Sequence, residues 1–367
     1  MSGNNSKIKN KILAMEAKLL GLKAVKDRYI PFTQDGVTYN LYDMPKGFVI
    51  KGDLDLSYEG LKKLPDLSEV TVEGNFRCFN NKLTSLEGAP KEVGGNFDCD
   101  HNALKTLEGA PQKVGRRFRC HANALISLKG APQKVGGYFG CDNNQLTTLE
   151  GAPKEVGKDF DCSNNELTSL EGGPQKVGKS FYCEHNLLTS LEGAPQEVGE
   201  NFNCCDNKLT SLKGAPQEIN SNFDCSNNEL TSLEGAPQKV GGSVDCFQNC
   251  LTDLRGAPQK VGGYFDCSEN VLTSLCGITV LNATEKVYCD IELLRKYNIS
   301  VSTPKDGIYF GQLKDNPLYQ KEIEAANEEA MNKMQREHAA KTAEATKKTQ
   351  AAFDAWLKQN GMNTPSK

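Results

Sequence analysis

The sequence predicts a solenoid, a rod built from stacked copies of one short structural unit. A cysteine occupies every 21st position of the region from Gly74 to about Val280. The same order of residues returns around each cysteine, as in the stretch from Val93 to Pro111. A fixed period of about 20–30 residues over many copies is typical of stacked repeat architectures. The cysteines that mark the ten copies are Cys78, Cys99, Cys120, Cys141, Cys162, Cys183, Cys204, Cys225, Cys246 and Cys267.

The apolar positions of one copy predict a short strand and a buried interior. Phe97 and Cys99 lie two residues apart, and alternate residues of a strand face the same side. Val93, Leu104 and Leu107 return at fixed places in the other copies, and we expect them to face the same interior. One copy buries too little apolar surface to fold alone, so the copies must stack. The intervening residues would face outward, and in this copy they are Asn96, Asp98 and Asp100.

An asparagine follows each of these cysteines by three residues, as Asn102 follows Cys99. Its side-chain amide both donates and accepts, so we expect it to satisfy backbone groups where the chain leaves the strand. The later Gly109–Pro111 segment and its copies predict a turn with extended backbone on the back of the rod.

The order Phe-x-Cys-x-x-Asn-x-Leu has the spacing of the leucine-rich-repeat core. The segment Leu-Thr-Ser-Leu-Glu-Gly-Ala-Pro and the 21-residue length resemble the short bacterial repeats found in effectors of enteric pathogens. The chain also resembles bacteriophage and bacterial proteins that carry strings of this repeat. The resemblance implies a leucine-rich-repeat solenoid with a parallel β-sheet on its concave face and a convex side that is mostly extended and turn.

The two ends of the repeat region predict caps, because an uncovered end would expose apolar side chains and strand edges. We expect residues 1–46 to form an N-terminal cap, with an amphipathic helix over 5–30 and a hairpin around Asp35-Gly36. Residues 47–73 would form a degenerate first repeat, and residues 74–283 the ten regular repeats. A C-terminal cap would cover residues 284–315.

Residues 316–361 predict a long helical tail rich in Ala, Glu, Lys and Gln. Asn316 suits the N-cap, and Asn360-Gly361 would end the helix. The sparse apolar residues leave two interpretations open. The helix is either a solvated tail or a docking and self-association arm, with Phe353, Trp356 and Leu357 as its anchor.

The charge of the chain argues against general attraction to nucleic acid or to membranes. The formal net charge is −4, and neither partner is expected from such a balance. No apolar run reaches the length of a membrane span, and Met1–Lys11 lacks the apolar core of a secretory signal.

Most of the fourteen cysteines fall at inward strand positions, which favours small buried thiols over disulfides or metal ligands. The sequence has no Cys-x-x-Cys pair, and its four histidines do not cluster with cysteines at zinc spacing. We therefore expect no metal and no cofactor, and a reducing, cytoplasmic location, with association to a virion as a further possibility.

No catalytic motif emerges from the sequence. Phosphate-binding loops, nucleophile elbows and His-Glu-x-x-His are all missing from it. Some effectors with similar repeats carry a ubiquitin-ligase domain with a catalytic cysteine, but this chain has no cysteine after Cys289. The chain is therefore predicted not to be an enzyme.

Repeat proteins bind partners through outward strand residues, so the positions that differ between copies are the candidate site. Arginines and a histidine gather in one copy, where they would bind a carboxylate or phosphate. The alternative is that these arginines pair with Asp98, Asp100 and Asp142 on neighbouring strands. The candidate residues on the concave face are Arg77, Arg116, Arg117, Arg119, His121, Tyr138, Tyr182, Phe247 and Tyr264.

The sequence as a whole predicts a non-enzymatic scaffold that holds a protein partner on this face. The face turns acidic towards Asp224, Asp245 and Asp266, which suits a protein better than nucleic acid. Two alternatives remain: a structural virion protein anchored by its C-terminal helix, and an effector directed at a host cell.

Overall fold

The computed structural model describes residues 29–278, 286–299, 307–309, 313 and 315–359. The helix predicted over residues 5–30 lies almost wholly outside them. The described chain starts with an antiparallel hairpin, Pro31–Gln34 and Val37–Asn40, around Asp35-Gly36. A 3-10 turn, Leu41–Asp43, leads from the hairpin into the rod.

The rod consists of eleven coils, each with two strands of two residues. The second strand of each coil pairs in parallel with those of its neighbours and forms the Phe sheet. Its coil strands are Leu54–Asp55, Phe76–Arg77, Phe97–Asp98, Phe118–Arg119, Phe139–Gly140, Phe160–Asp161, Phe181–Tyr182, Phe202–Asn203, Phe223–Asp224, Val244–Asp245 and Phe265–Asp266. Lys286–Tyr288 extends this sheet in parallel, and Ile308–Tyr309 closes it as an antiparallel edge.

The first strand of each coil forms a second parallel row, the Val sheet, in addition to the single sheet that the sequence predicts. Its strands are Val49–Ile50, Thr71–Val72, Glu92–Val93, Lys113–Val114, Lys134–Val135, Glu155–Val156, Lys176–Val177, Glu197–Val198, Glu218–Ile219, Lys239–Val240 and Lys260–Val261. Hydrogen bonding divides this row into a run of eight strands and a run of three. The strand bends sharply between the two sheets, where a Cβ on Gly115 would lie 2.2 Å from the carbonyl oxygen of Gly94. Because glycine has no Cβ, it lets the coils approach so closely at Gly115.

The strands pair in phase, so that equivalent residues of successive coils lie side by side. Phe97, for example, is the register partner of both Phe76 and Phe118. Phenylalanine rings from Phe76 to Phe181 stack with centroids 5.0–5.6 Å apart. The Val, Phe, Cys and both Leu positions are buried in the regular coils, except that Leu272 of the last one is half-buried. The predicted leucine-rich-repeat solenoid with inward Phe, Cys and Leu is confirmed.

The asparagine of each coil ties its own backbone to that of the preceding coil. In one coil, the Asn165 amide nitrogen lies 3.1 Å from the carbonyl oxygens of Cys141, Cys162 and Ser163. Its oxygen accepts from the backbone N–H of Leu146 at 3.0 Å. The backbone groups that the strand leaves unpaired are thereby satisfied, as the sequence predicts.

The column of thiols lies inside this framework. All fourteen cysteines are free thiols, and the ten that mark the repeats are buried. The Cys99 sulfur lies 3.2 Å from the carbonyl oxygen of Arg119 in the next coil. Burial raises the pKa of the Cys99 thiol well above its usual value, so these groups act as small buried side chains with a weak donor.

Two helices follow the rod. Helix α1, Ile291–Lys296, packs at its end. Helix α2, Pro317–Gln359, has 43 residues, and the Asn316 side chain accepts from the backbone N–H of Leu318 at 3.0 Å. Tyr319 at the start of α2 is fully buried, whereas the side chains described from residue 327 onwards are exposed. Within the described part of the chain, no helix has the length and apolar character needed to cross a membrane.

Candidate binding face

The outward side of the Phe sheet carries the residues that the sequence singles out for binding. Each coil contributes the residue before Phe, the residue between Phe and Cys, and the residue after Cys. Because the coils are in phase, each of these positions forms a row along the rod. Neighbours across the coils are therefore residues about 21 positions apart in the sequence.

A shallow pocket of about 300 Å³ opens on this face across the coil that holds Arg117 and the three coils that follow it. Three of the predicted residues, Arg117, Arg119 and Tyr138, form part of its wall. Lys158, Asp159 and Lys179 complete the wall. We call this set the basic pocket.

The cations of the basic pocket are mostly unpaired. Among the residues that the structure describes, no carboxylate lies within 4.0 Å of Arg117, Arg119 or Lys158. Lys179 alone pairs, with Glu200 at 2.7 Å. Asp159 accepts from the backbone N–H of Ser180 at 3.1 Å. The pocket therefore presents three free positive charges to an incoming anion.

The predicted pairing of these arginines with flanking carboxylates does not form as contact ion pairs in the described region. Burial raises the pKa of the Asp98 carboxyl, and the positive charge of Arg119 is the largest influence that lowers it. Arg119 therefore acts on Asp98 electrostatically without forming a contact ion pair. The contact with Asp98 comes from Arg77 instead, at 4.0 Å, and Arg77 also binds Asp53 at 3.1 Å. Arg77 is thus held within the sheet surface, away from the basic pocket.

Tyr138 is fixed in the pocket wall by a glycine and an aspartate. Its hydroxyl donates to Asp161 at 3.2 Å. Its ring lies across Gly140, where an added Cβ would fall 2.5 Å from the ring. Burial and the neighbouring Asp161 raise the pKa of the Tyr138 hydroxyl, so it serves as a neutral donor.

The other end of the face is acidic and aromatic. Tyr264 donates from its hydroxyl to Asp245 at 2.9 Å. The pKa of the Asp245 carboxyl is raised to about 6, chiefly by burial; the Tyr264 hydrogen bond lowers it, and Asp224 and Asp266 on the adjacent coils contribute to the rise. Phe247 is half-buried next to this group. The face therefore has a basic and an acidic part, several coils apart.

The remaining candidates fall elsewhere. Arg116 is exposed and does not line the basic pocket. Tyr182 is half-buried on the same coil as Lys179 but does not line the pocket. His121 lies near Asp100, with its Nε2 atom 3.7 Å from the carboxylate. Phe353, Trp356 and Leu357 fall within the α2 backbone, and their side chains lie outside the described part of the structure.

Lys158 and Lys179 are functional candidates that the sequence reasoning misses. They occupy the position two residues before Phe, which is glycine or arginine in the preceding copies, as in Gly137 and Arg116. A lysine at a position that elsewhere holds glycine is the signal that would have found them.

Comparison with known proteins adds similarity of fold only. No family model matches the chain, and no curated protein matches it. Among solved structures, YopM from Yersinia enterocolitica WA-314 is 20% identical, with a TM-score of 0.32, and the match covers 65% of each chain. A structure of YopM, a leucine-rich effector protein from Yersinia pestis, is 21% identical with a TM-score of 0.36, covering 64% of this chain and 81% of that one. The fold is established by the strand pairing and burial described above, independently of these similarities.

Proposed function

We propose that the chain is a non-enzymatic scaffold that binds a protein partner on the outward side of the Phe sheet. The observation that supports this most strongly is the basic pocket, where Arg117, Arg119 and Lys158 have no carboxylate partner within the described region. A planar guanidinium group binds carboxylate or phosphate oxygens in a bidentate way. Within this proposal, the occupant of the pocket is an acidic side chain of the partner.

Tyr138 gives the pocket an aromatic side chain that a protein partner can contact. Its rigid ring offers apolar contact, and aromatic and arginine side chains together are enriched where binding energy concentrates. The acidic part of the face, around Asp245, would meet basic residues of the same partner. Complementary charge at two places fixes the direction in which a partner lies along the rod.

The test uses a fluorescein-labelled oligoglutamate peptide, whose binding is followed by fluorescence anisotropy at low and at physiological salt. The wild-type chain is expected to bind the peptide, more weakly as salt screens the charges. The double variant Arg117→Glu/Arg119→Glu is expected to lose at least about tenfold in affinity, since charged hydrogen bonds contribute ~1.5–3 kcal/mol each.

A matched control reverses two cations outside the pocket. Lys113→Glu/Lys134→Glu changes the net charge by the same amount, but these lysines lie in the Val sheet and face Glu92 and Glu155. If both double variants weaken peptide binding equally, the attraction belongs to the whole surface and the basic pocket is not the site.

A second candidate function is assembly through α2. Its described outer part has exposed apolar side chains, with Met331 at 56% and Met334 at 63% exposure. We propose that this stretch is able to dock on a larger assembly or on a second copy. Sedimentation equilibrium of the full chain and of a chain lacking residues 327–367 tests whether the helix joins two copies. If both chains sediment as monomers, self-association through α2 is contradicted.

The buried thiols support a further part of this proposal, a reducing cytoplasmic location. Association with a virion and delivery into a host cell rest on the sequence resemblance alone.

A further inference from the structure

Two histidines and an aspartate converge on the outward side of the Phe sheet, beside the basic pocket but not in its wall. Asp100 and His121 each follow a repeat cysteine, so the in-phase stacking makes them neighbours on adjacent coils. His101 follows Asp100 directly. The His101 Nδ1 atom lies 3.0 Å from Asp100 Oδ2, and His121 Nε2 lies 3.7 Å from the same oxygen.

The three side chains are held to different degrees. Asp100 is 8% exposed and is enclosed by its neighbours. The imidazoles meet edge to face with centroids 5.3 Å apart. His121 is half-buried, whereas the His101 side chain is 52% exposed and is free to adjust.

The spacing of the three ligand atoms fits a metal ion. One nitrogen from each imidazole and one carboxylate oxygen all lie within 4.8 Å of one another. A tetrahedral ion with ligands at about 2.0–2.1 Å places its ligand atoms roughly 3.3 Å apart. The distances from the Asp100 oxygen to the His101 and His121 nitrogens, 3.0 Å and 3.7 Å, fall on either side of that value.

Charges of both signs lie around the cluster, since Arg77, Arg117 and Arg119 all act on the neighbouring Asp98 carboxyl. The nearest contact between an arginine and a carboxylate in this part of the face joins Arg77 to Asp98. Arg119 is the strongest of the influences that lower the pKa of the Asp98 carboxyl. One Asp98 oxygen, Oδ1, is buried without a hydrogen-bond donor among the described residues, so a second carboxylate adds negative charge close to Asp100.

The donor set decides the class of metal. Two imidazoles and one carboxylate suit Zn²⁺ and the neighbouring divalent transition metals, whereas Mg²⁺ and Ca²⁺ prefer oxygen ligands alone. We propose that Asp100, His101 and His121 form a binding site for one divalent transition-metal ion of the Zn²⁺ type. Three protein ligands leave the fourth coordination position open to solvent, which reaches the cluster beside the exposed His101 ring.

A natural control lies four coils further along the rod. His185 occupies the same left-handed turn position as His101, with φ of 53° and 52°. Its Nδ1 atom lies 3.9 Å from Asp206. No second imidazole joins that pair among the described residues, so His185 and Asp206 lack the third ligand.

The experiment measures Zn²⁺ binding to the full chain, purified without a histidine tag, by isothermal titration calorimetry. Wild-type protein and His185→Ala are expected to bind one equivalent with the same affinity. His101→Ala and His121→Ala are each expected to bind at least about tenfold more weakly, since even outer-sphere partners of a metal contribute 10–100-fold. Thermal unfolding of each variant without metal confirms that the rod is intact.

Cys250 needs its own control, because it is an exposed thiol and thiolates bind zinc. A Cys250→Ser variant is expected to retain the one equivalent. Co²⁺ bound to the same protein should show visible ligand-field bands without the near-ultraviolet charge-transfer band of a thiolate ligand. Equal Zn²⁺ affinity in wild type, His101→Ala and His121→Ala, or loss of binding in Cys250→Ser alone, would overturn the proposal.

Discussion

At the scale of the residue, the repeat asparagine serves four backbone groups at once. Asn165 donates towards three carbonyls from two coils and accepts one N–H from the preceding coil. Because all of these groups are buried, no water is available to replace the amide. The side chain is therefore part of the backbone hydrogen bonding of the rod.

We predict that Asn165→Ala lowers the free energy of unfolding by about 2–4 kcal/mol, because buried carbonyls and an N–H lose their partner. Urea unfolding followed by circular dichroism measures the change. Asn164→Ala is the matched control: Asn164 is exposed with φ of 53°, and Ala122 already occupies the same place in another coil. That control should cost about 1 kcal/mol or less. Equal losses from both variants would show that the asparagine bonds do not hold the coils.

A second residue-scale prediction concerns Glu184, whose side chain lies on the outward face next to Asp161. Burial raises the pKa of its carboxyl to about 7, from an ordinary 4.5. Its Oε2 atom has no donor among the described residues. The folded chain therefore retains this proton at a pH where the unfolded chain has lost it. The contribution of this group to the free energy of unfolding therefore falls as the pH rises from about 4.5 to 7.

Glu184→Gln removes the titration. We expect the variant to be more stable than wild type at pH 8 and little different at pH 4, in thermal unfolding across that range. Glu166→Gln, at an exposed position of the preceding coil, should leave the pH profile unchanged. A Glu184→Gln profile parallel to that of wild type would contradict the raised pKa.

At the scale of the element, the start of α2 belongs to the end of the rod. The Glu322 carboxylate accepts hydrogen bonds from Ser274, Tyr297 and Lys296. The Tyr297 hydroxyl accepts in turn from the backbone N–H of Leu275 at 2.9 Å. Tyr319 donates to the carbonyl of Ile278. The first turns of the helix therefore cover the last regular coil, as a cap must.

Glu322→Ala is expected to loosen this cap. We predict that amide hydrogens in the first turns of α2 and around Leu275 exchange at least about tenfold faster, as local opening becomes easier. Hydrogen–deuterium exchange with mass spectrometry measures the effect. Glu329→Ala on the same helix removes only an exposed pair with Arg255 at 3.6 Å and should change little. Comparable acceleration in both variants would mean that α2 is not docked through Glu322.

At the scale of the whole molecule, the coils are interchangeable units. Excising residues 218–238 removes one complete coil and joins equivalent positions of its neighbours. We predict a folded rod with unchanged affinity for the oligoglutamate peptide, because the basic pocket lies in other coils. Removing only residues 218–228 takes both strands but leaves the leucines, and this variant should unfold at a clearly lower temperature in a circular dichroism melt. If the full-coil deletion fails to fold, the coils are not equivalent.

Most of the fold can be predicted from the 21-residue period, because the same inward-facing Val, Phe, Cys and Leu positions recur in the regular coils. The Val sheet is not evident from the sequence, since a two-residue strand has no alternation to detect.

The candidate site is less predictable than the fold. The sequence brings Arg117, Arg119 and Tyr138 to one face, but which cations stay unpaired depends on side-chain directions. The cluster of His101 with His121 is missed for a related reason: stacking brings together residues about 20 apart, whereas metal motifs are sought at short spacing.

The most direct test of the whole account is the native reactivity of the fourteen thiols, because a one-residue slip in register would turn the Cys row outward and the arginines inward. Native protein is treated with iodoacetamide, and each cysteine is quantified by mass spectrometry. The account predicts rapid labelling of Cys250, partial labelling of Cys205 and Cys276, and protection of the ten repeat cysteines until the rod is unfolded. Rapid labelling of the repeat cysteines in the native chain, or disulfides between them, would contradict it.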